Sequence, residues 1–277
     1  MKTCLVKYVK DILRDLFEKQ IVLDGKKLKG VFPTRRGNSG CYLLNAWVSE
    51  NRICVGQEKV DDKSNEITAI PKVLKSLDIE DALVSIDAIM RTQTTIAAQI
   101  REQKGDYLLS VKGNQKELFE DIECAFKTHQ GYDCKGDTET GHGRIETRRC
   151  SILSAEDFLL EENLQAWKDL TTLLMVEACR EIKGIRTEET CYYISNENIS
   201  SAAYYQALVR GHWAIENQLH WHLDVTFKED QCRARNGNAP ENLSTVRKFA
   251  LQIISNAKDK LSLNKRKYKA ALDFSIP

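Results

Sequence analysis

Prolines are scarce in this sequence, four in 277 residues, so composition marks no linker, and there is no internal repeat. No stretch approaches the roughly 20 apolar residues that span a bilayer. The N-terminus MKTCLVKYVKDILRDLF carries Lys7, Lys10, Asp11 and Arg14 where a signal peptide needs an apolar core. Its Leu5, Tyr8, Val9, Ile12, Leu13 and Leu16 recur at helical spacing instead, which predicts an amphipathic helix over residues 1–18. Nine cysteines are scattered with no CxxC pair, an odd number that argues for reduced thiols in a cytoplasmic protein over a zinc knuckle or a disulfide framework. No HExxH motif is present. A net charge of +1 excludes neither nucleic acid nor other partners, because clustering of basic residues matters more than their sum.

What is present is a chain long enough for a real core, with 42% hydrophobic and 29% charged residues. Ile21 to Leu23 forms a short apolar run ending at Asp24-Gly25. Residues 41–48 and 53–60 read as strands joined by a tight turn at Asn51-Arg52. Ile67, Ile70, Val73, Leu74 and Leu77 lie on one helical stripe. A strand over 82–86 ending at Asp87, a helix over 94–103, a strand over 107–111 and a helix over 115–128 follow. Three hairpin-type strands and then alternating strands and helices predict a mixed sheet flanked by helices, an α/β fold. Residues 131–143 are polar and Gly-rich, hence a loop. Strands over 145–153, 173–182 and 189–195, with a short helix near 155–165, make residues 128–199 a β-rich insertion. Long helices are predicted over about 200–227 and 243–257, before a Lys/Arg-rich tail over 258–277.

Two aspartates, Asp24 in IVLDGKKLKG and Asp87 in LVSIDAI, sit at the ends of apolar strands. A carboxylate there is costly to bury and is not needed to end a strand. In α/β sheets, ligands bind outside the carboxyl ends of strands. If the strands are neighbours, the two carboxylates offer hard oxygen ligands suited to Mg²⁺ or Mn²⁺. Ordinary turn or capping aspartates are the competing explanation. The third element is RGHWAIENQLHWHLDVTFKED, where His212, Glu216 and His220 share a helix face at i, i+4, i+8. Locally hydrogen-bonded histidines beside core tryptophans are the plainer account of that segment.

HWAIEN resembles the HWxIEN signature of insertion-sequence DDE transposases. The sequence is most similar to their H-repeat-associated, Rhs-element-linked branch. LDGKKLKG around Asp24, SIDAI…GDYLLSVKGNQ from Ser85 to Gln115, GHGRIETR from Gly141 to Arg148 and LDVTFKEDQCRARNGNAPENLSTVRKFAL agree with it, over roughly residues 19–257. The resemblance implies an RNase H-like five-stranded mixed sheet in a catalytic domain over 19–257. In that fold the first Asp lies on strand one, the second on strand four and the Glu on a late helix, behind a β-rich insertion. It implies catalytic and metal-binding roles for Asp24, Asp87 and Glu216. Two Mg²⁺ or Mn²⁺ ions about 3.5–4 Å apart would serve cleavage and strand transfer, with Asp24 bridging both ions. It also implies double-stranded DNA as partner, a homodimer in the synaptic complex and a place at the bacterial nucleoid.

The sequence departs from the wider group's Tyr-Arg-Glu-Lys set: Val209, His212 and Leu223 stand where Tyr, Arg and Lys are usual. Arg210 is the substitute candidate, with His212, Asn217 and Asp224 the branch's own residues. Few residues precede Asp24 where relatives carry a further N-terminal segment, so a truncated copy or a late start codon is the expectation. Lys26, Lys29, Lys112, Arg144, Arg148, Arg210 and His212 are the DNA-contact candidates, with Lys27, Arg35, Arg36 and Arg149 nearby. Three alternatives stay open: a hydrolytic nuclease of the same fold, a DNA-binding remnant without activity, and a zinc hydrolase using His212, Glu216 and His220.

Overall fold

The computed structural model describes residues 19–31, 41–60, 66–87, 93–129, 131, 133–141 and 143–272. The helix expected over residues 1–18 lies outside them, as do Arg35 and Arg36. The chain is a mixed α/β protein with a large sheet. Of the described residues, one compact unit takes Asp24–Leu77 and Trp213 onward, and the other takes the chain up to Leu23 together with Asp78–His212.

In chain order the strands are β1 (Gln20–Leu28), β2 (Cys41–Val48), β3 (Ile53–Val60), β4 (Leu83–Ile86), β5 (Asp106–Val111), β6 (Asp133–Gly141), β7 (Arg144–Ser154), β8 (Thr172–Ile182) and β9 (Ile185–Ser195). The helices are α1 (Glu66–Ser76), α2 (Gln93–Glu102), α3 (Lys116–Thr128), α4 (Ala155–Phe158), α5 (Glu161–Ala166), α6 (Ala202–Ile215), α7 (Trp221–Val225), α8 (Ala239–Ser255) and α9 (Leu263–Leu272). The sheet order is β3-β2-β1-β4-β5-β9-β8-β7-β6, nine strands where five were expected. The difference arises at β5. Its open edge takes β9 antiparallel, Leu108 opposite Ser195 to Val111 opposite Tyr192, so the later strands continue the ladder. An unpaired strand edge leaves backbone donors and acceptors without partners, and β9 satisfies them.

The expected loop over 131–143 is largely strand. β6 pairs with β7 from Asp133 opposite Ile152 to Gly141 opposite Arg144. Its polar, glycine-containing sequence suits the outermost strand of a sheet, where both faces are wet and no apolar alternation is needed. A strand without that alternation looks like a loop in the sequence.

The first unit buries Leu28, Val31, Cys41 and Leu43 together. Helix α1 closes on the β2–β3 hairpin through Ile70, Val73 and Leu74, all buried. Gly56 permits that approach, since a Cβ there would stand 3.3 Å from the Ala46 Cβ and 3.5 Å from a Val73 methyl. The second unit packs Ala202, Tyr205 and Val209 of α6 onto Leu83, Leu108, Cys150, Ile152, Leu174, Val176 and Tyr193 of its strands. The Tyr205 hydroxyl donates to the Glu197 carbonyl at 2.6 Å, which offsets the cost of its full burial. All eight described cysteines are free. Among the described residues, no helix is long and apolar enough to cross a membrane.

Candidate metal centre

β1 does not end at Asp24. Residues Gln20–Leu23 pair parallel with Leu83–Ile86 of β4, and the strand then runs on to Leu28. Asp24 is therefore mid-strand, at the first position past the β4 pairing. Side chains alternate along a strand, so Asp24, Lys26 and Leu28 share a face. Asp24 is partly buried, with Lys26 and Leu28 buried beyond it.

Facing them in the same unit is the end of the helix that carries Glu216. The helix expected as one regular element runs as α6, a π-helical turn over Glu216–His220, and α7. The Trp221 N–H reaches back five residues to the Glu216 carbonyl, the defining bond of a π turn. No Gly or Pro lies in that turn to mark it in the sequence. π turns occur disproportionately at functional sites.

His220, only 5% exposed, places Nδ1 3.4 Å from the Asp24 carboxylate and 3.5 Å from that of Glu216. Asp24 is 23% exposed and Glu216 59%, so the cluster is closed below and open above. The three donor atoms all lie within 4.8 Å of one another. Two carboxylate oxygens and one imidazole nitrogen form a donor set for a divalent cation of the Mg²⁺ or Mn²⁺ type. The hydrogen bond with His220 holds the Glu216 carboxyl below its usual range against some desolvation, and the positive charge of Lys26 adds to the effect.

One turn along the helix, Asp224 receives both Lys26 contacts, at 2.7 and 2.6 Å. The spacing matches on both sides. Residues four apart on a helix are about 6 Å apart along its axis, and residues two apart on a strand about 6.6 Å. Asp24 and Lys26 thus meet His220 and Asp224 in register. Gly30 closes the same unit further on. A Cβ there would collide with the Cys232 carbonyl oxygen and stand 2.5 Å from that of Asp230, so the GKKLKG stretch needs glycine at its end.

In the second unit, Asp87 follows β4 directly and pairs with Lys112 at 2.8 Å. Ser85, one face-step earlier on β4, accepts from the Gln20 amide at 2.9 Å and contacts His212 Nδ1 at 3.0 Å. The same amide of Gln20 donates to the Leu208 carbonyl at 2.8 Å. Burial pushes the His212 pKa down to about 4, so the ring is neutral at neutral pH while its Nδ1 shares a hydrogen bond with the Ser85 hydroxyl. His212 is a neutral group inside the protein, and Lys26 is likewise buried against Asp224; neither is presented as a free surface cation.

The remaining basic candidates are accessible but held by acids. Lys29 pairs with Asp230 at 3.0 Å. Arg210 and Arg148 share Glu139, at 2.5 and 3.3 Å. Arg144 meets Glu146 at 2.8 Å, where Arg148 and Arg180 also converge. Asp24 and Glu216 are thus brought together, and His220 and the Lys26–Asp224 pair are the neighbours that the motifs alone do not reveal. The i, i+4 spacing of Glu216 with His220 is the visible hint; nothing local points to Lys26 with Asp224.

Residues 15–253 match the family described as the transposase DDE domain. The chain is 37% identical over 261 residues to "Putative transposase YncI" of Escherichia coli O157:H7, covering 91% of this chain and 66% of that protein. It is 35% identical over 279 aligned residues to "H repeat-associated putative transposase YhhI" of Escherichia coli strain K12, covering 98% of this chain and 73% of that one. "Putative protein YbfL" of the same strain matches with the same identity and coverage. The chain therefore spans about two thirds to three quarters of the length of these relatives. A solved sugar N-methyltransferase matches 47% of this chain at 11% identity with a TM-score of 0.20, a likeness too weak to bear on the fold. By the match over residues 15–253 and by its H repeat-associated relatives, this chain belongs to the DDE transposase family.

Proposed function

We propose that this transposase cleaves DNA strands and joins the freed 3′ ends to target DNA, with Asp24, Asp87 and Glu216 holding a pair of divalent cations. The observation that carries the reading is the convergence of the Asp24 and Glu216 carboxylates around one buried imidazole, all within 4.8 Å. Support for Asp87 comes from the parallel register in the second unit. Leu23 pairs with Ile86, and an aspartate follows each, Asp24 within β1 and Asp87 just past the end of β4. The element sequence β1-β2-β3-α1-β4-α2-β5, with Asp24 on the first strand, Asp87 after the fourth and Glu216 on a late helix, supports an RNase H-like core. On this reading residues 19–257 are the catalytic domain, 128–199 the β-rich insertion and 258–277 a basic tail that includes α9.

Bound divalent ions supply an activated oxygen nucleophile and neutralise charge at the phosphorus. The chain's own residues do the rest. Asp24 and Glu216 offer oxygen donors at the floor and the open side of the cluster. The Lys26–Asp224 pair holds the glutamate helix in register with β1. The neutral His212, bonded to Ser85, orders the backbone leading to Asp87. Lys29, Lys112, Arg144, Arg148 and Arg210 meet DNA phosphates, exchanging their carboxylate partners for phosphate oxygens in a salt-dependent way. Paired DNA ends call for two copies of the chain.

The test is incubation with DNA carrying the element's ends and Mg²⁺ or Mn²⁺, beside Asp24→Asn, Asp87→Asn and Glu216→Gln. We expect cleavage and joined product from the wild type. Each variant should lose both while still shifting DNA on a gel. Undiminished scission in all three variants refutes the reading. Cleavage without joining indicates a hydrolytic nuclease, and binding without cleavage indicates a DNA-binding remnant.

A further inference from the structure

We infer that His220 is itself a ligand to the cation held by Asp24 and Glu216, which makes the centre a mixed nitrogen–oxygen site that favours Mn²⁺ over Mg²⁺. The inference rests on the metal-dependent reading above and adds a residue and a metal preference to it.

Three observations point to it. His220 Nδ1 stands 3.4 Å from Asp24 Oδ2 and 3.5 Å from Glu216 Oε1. Ligands of one cation at about 2.1 Å are spaced by about 3.0–3.5 Å when they sit near right angles. His220 is buried, so it is no surface histidine that happens to lie near an acid. Its other nitrogen, Nε2, has no hydrogen-bond partner among the described residues.

Nε2 is without a partner in either neutral tautomer, so the two differ at Nδ1. With the proton on Nδ1, the ring donates toward the carboxylates, the arrangement without a cation. With the proton on Nε2, the Nδ1 lone pair faces two carboxylate oxygens. That arrangement is repulsive unless a cation lies among the three donors, and it then becomes a coordination set. The π turn that carries Glu216 and His220 presents both on the strand face that holds Asp24. Imidazole is a better ligand for first-row transition metals than for Mg²⁺, which prefers oxygen and retains its water.

The test is electron spin-echo spectroscopy on the full chain loaded with Mn²⁺, which detects a directly bonded nitrogen. We expect ¹⁴N modulation from the wild type, retained in His222→Gln and lost in His220→Gln while Mn²⁺ remains bound. Should His220→Gln fail to fold, the wild-type spectrum still decides whether nitrogen is bound. Persistence of the signal in His129→Gln, His142→Gln, His212→Asn and His222→Gln then assigns it by elimination among the five histidines. In titrations with each metal alone, His220→Asp should lower the preference for Mn²⁺ over Mg²⁺ by about tenfold or more. Bound Mn²⁺ without nitrogen modulation overturns the inference and leaves the carboxylate reading standing. No Mn²⁺ binding by the wild type overturns both.

Discussion

Removing one end of the Lys26–Asp224 pair should cost more from the aspartate side than from the lysine side. The Lys26 side chain is 8% exposed and that of Asp224 30%. Asp224→Ala strands an ammonium where little water reaches. Breaking a buried pair in this way costs about 3–5 kcal/mol at full burial and about 0–1 kcal/mol at the surface. This pair lies between those limits, so we expect about 2–3 kcal/mol for Asp224→Ala. Lys26→Met keeps the buried stem and leaves a carboxylate that can turn to water and to the nearby Lys29, so about 1–2 kcal/mol is expected. The double variant Lys26→Met/Asp224→Leu should recover part of the loss, because no charge is then left unpaired. Urea unfolding followed by tryptophan fluorescence is the assay. Trp47, Trp213 and Trp221 lie in the unit that holds the pair and only Trp167 in the other, so the signal reports mainly the relevant unit. Equal losses, or a larger loss from Lys26→Met, would falsify the argument that burial of the ammonium sets the cost. A loss below about 0.5 kcal/mol in both would show the pair to be an ordinary surface contact.

Other consequences are open to measurement. His212 has its pKa lowered to about 4 by burial, from an unfolded value of 6.5. The folded state resists its protonation, so its contribution is complete above about pH 6.5 and is lost as pH falls toward 4. About two and a half pH units amount to about 3 kcal/mol. His212→Asn should flatten stability over that window, and an unchanged pH profile refutes this. Burial also depresses the pKa of Lys248, which donates to Asn45 and Gln57. Stability should therefore rise with pH toward the unfolded lysine value near 10.5, and Lys248→Met should remove that rise. The same variant should cost about 1–3 kcal/mol at about pH 7 by orphaning the two amide oxygens. Glu139→Ala removes the carboxylate that holds Arg210, leaving Arg148 on Glu146, and should tighten DNA binding at low salt. The slope of log K against log salt should steepen by about 0.9 for the additional phosphate that Arg210 neutralises, and weaker binding counts against the assignment. Gly30→Ala drives a methyl into two backbone carbonyls and should cost about 1–3 kcal/mol, read from the same urea transition.

Local pattern was legible in the residues. The hairpin β2–β3 appears with its expected bounds, 41–48 and 53–60, because apolar residues in those runs meet a core. The order of strands and helices through β5 and α3 was legible for the same reason: period two or period 3.6 is written in neighbouring residues. Asp24 and Asp87 stood out because carboxylates beside apolar runs carry a cost that folding alone does not require, and Glu216 through its helical spacing with His212 and His220 and the HWxIEN resemblance.

Tertiary structure decided the rest. β6 is a strand only because β7 lies beside it, and the sheet grows to nine strands only because β9 finds the edge of β5. Lys26 and Arg210 look alike as basic residues. One is buried on an aspartate 198 positions away, and the other sits on Glu139, 71 positions away. His212 and His220 share a sequence face. The fold nevertheless makes one a neutral partner of Ser85 and sets the other against Asp24 and Glu216. Periodicity arises from residues adjacent in the chain, so the chain alone reveals it. Burial and charge pairing arise from residues that meet only after folding, and no local pattern encodes which ones will meet.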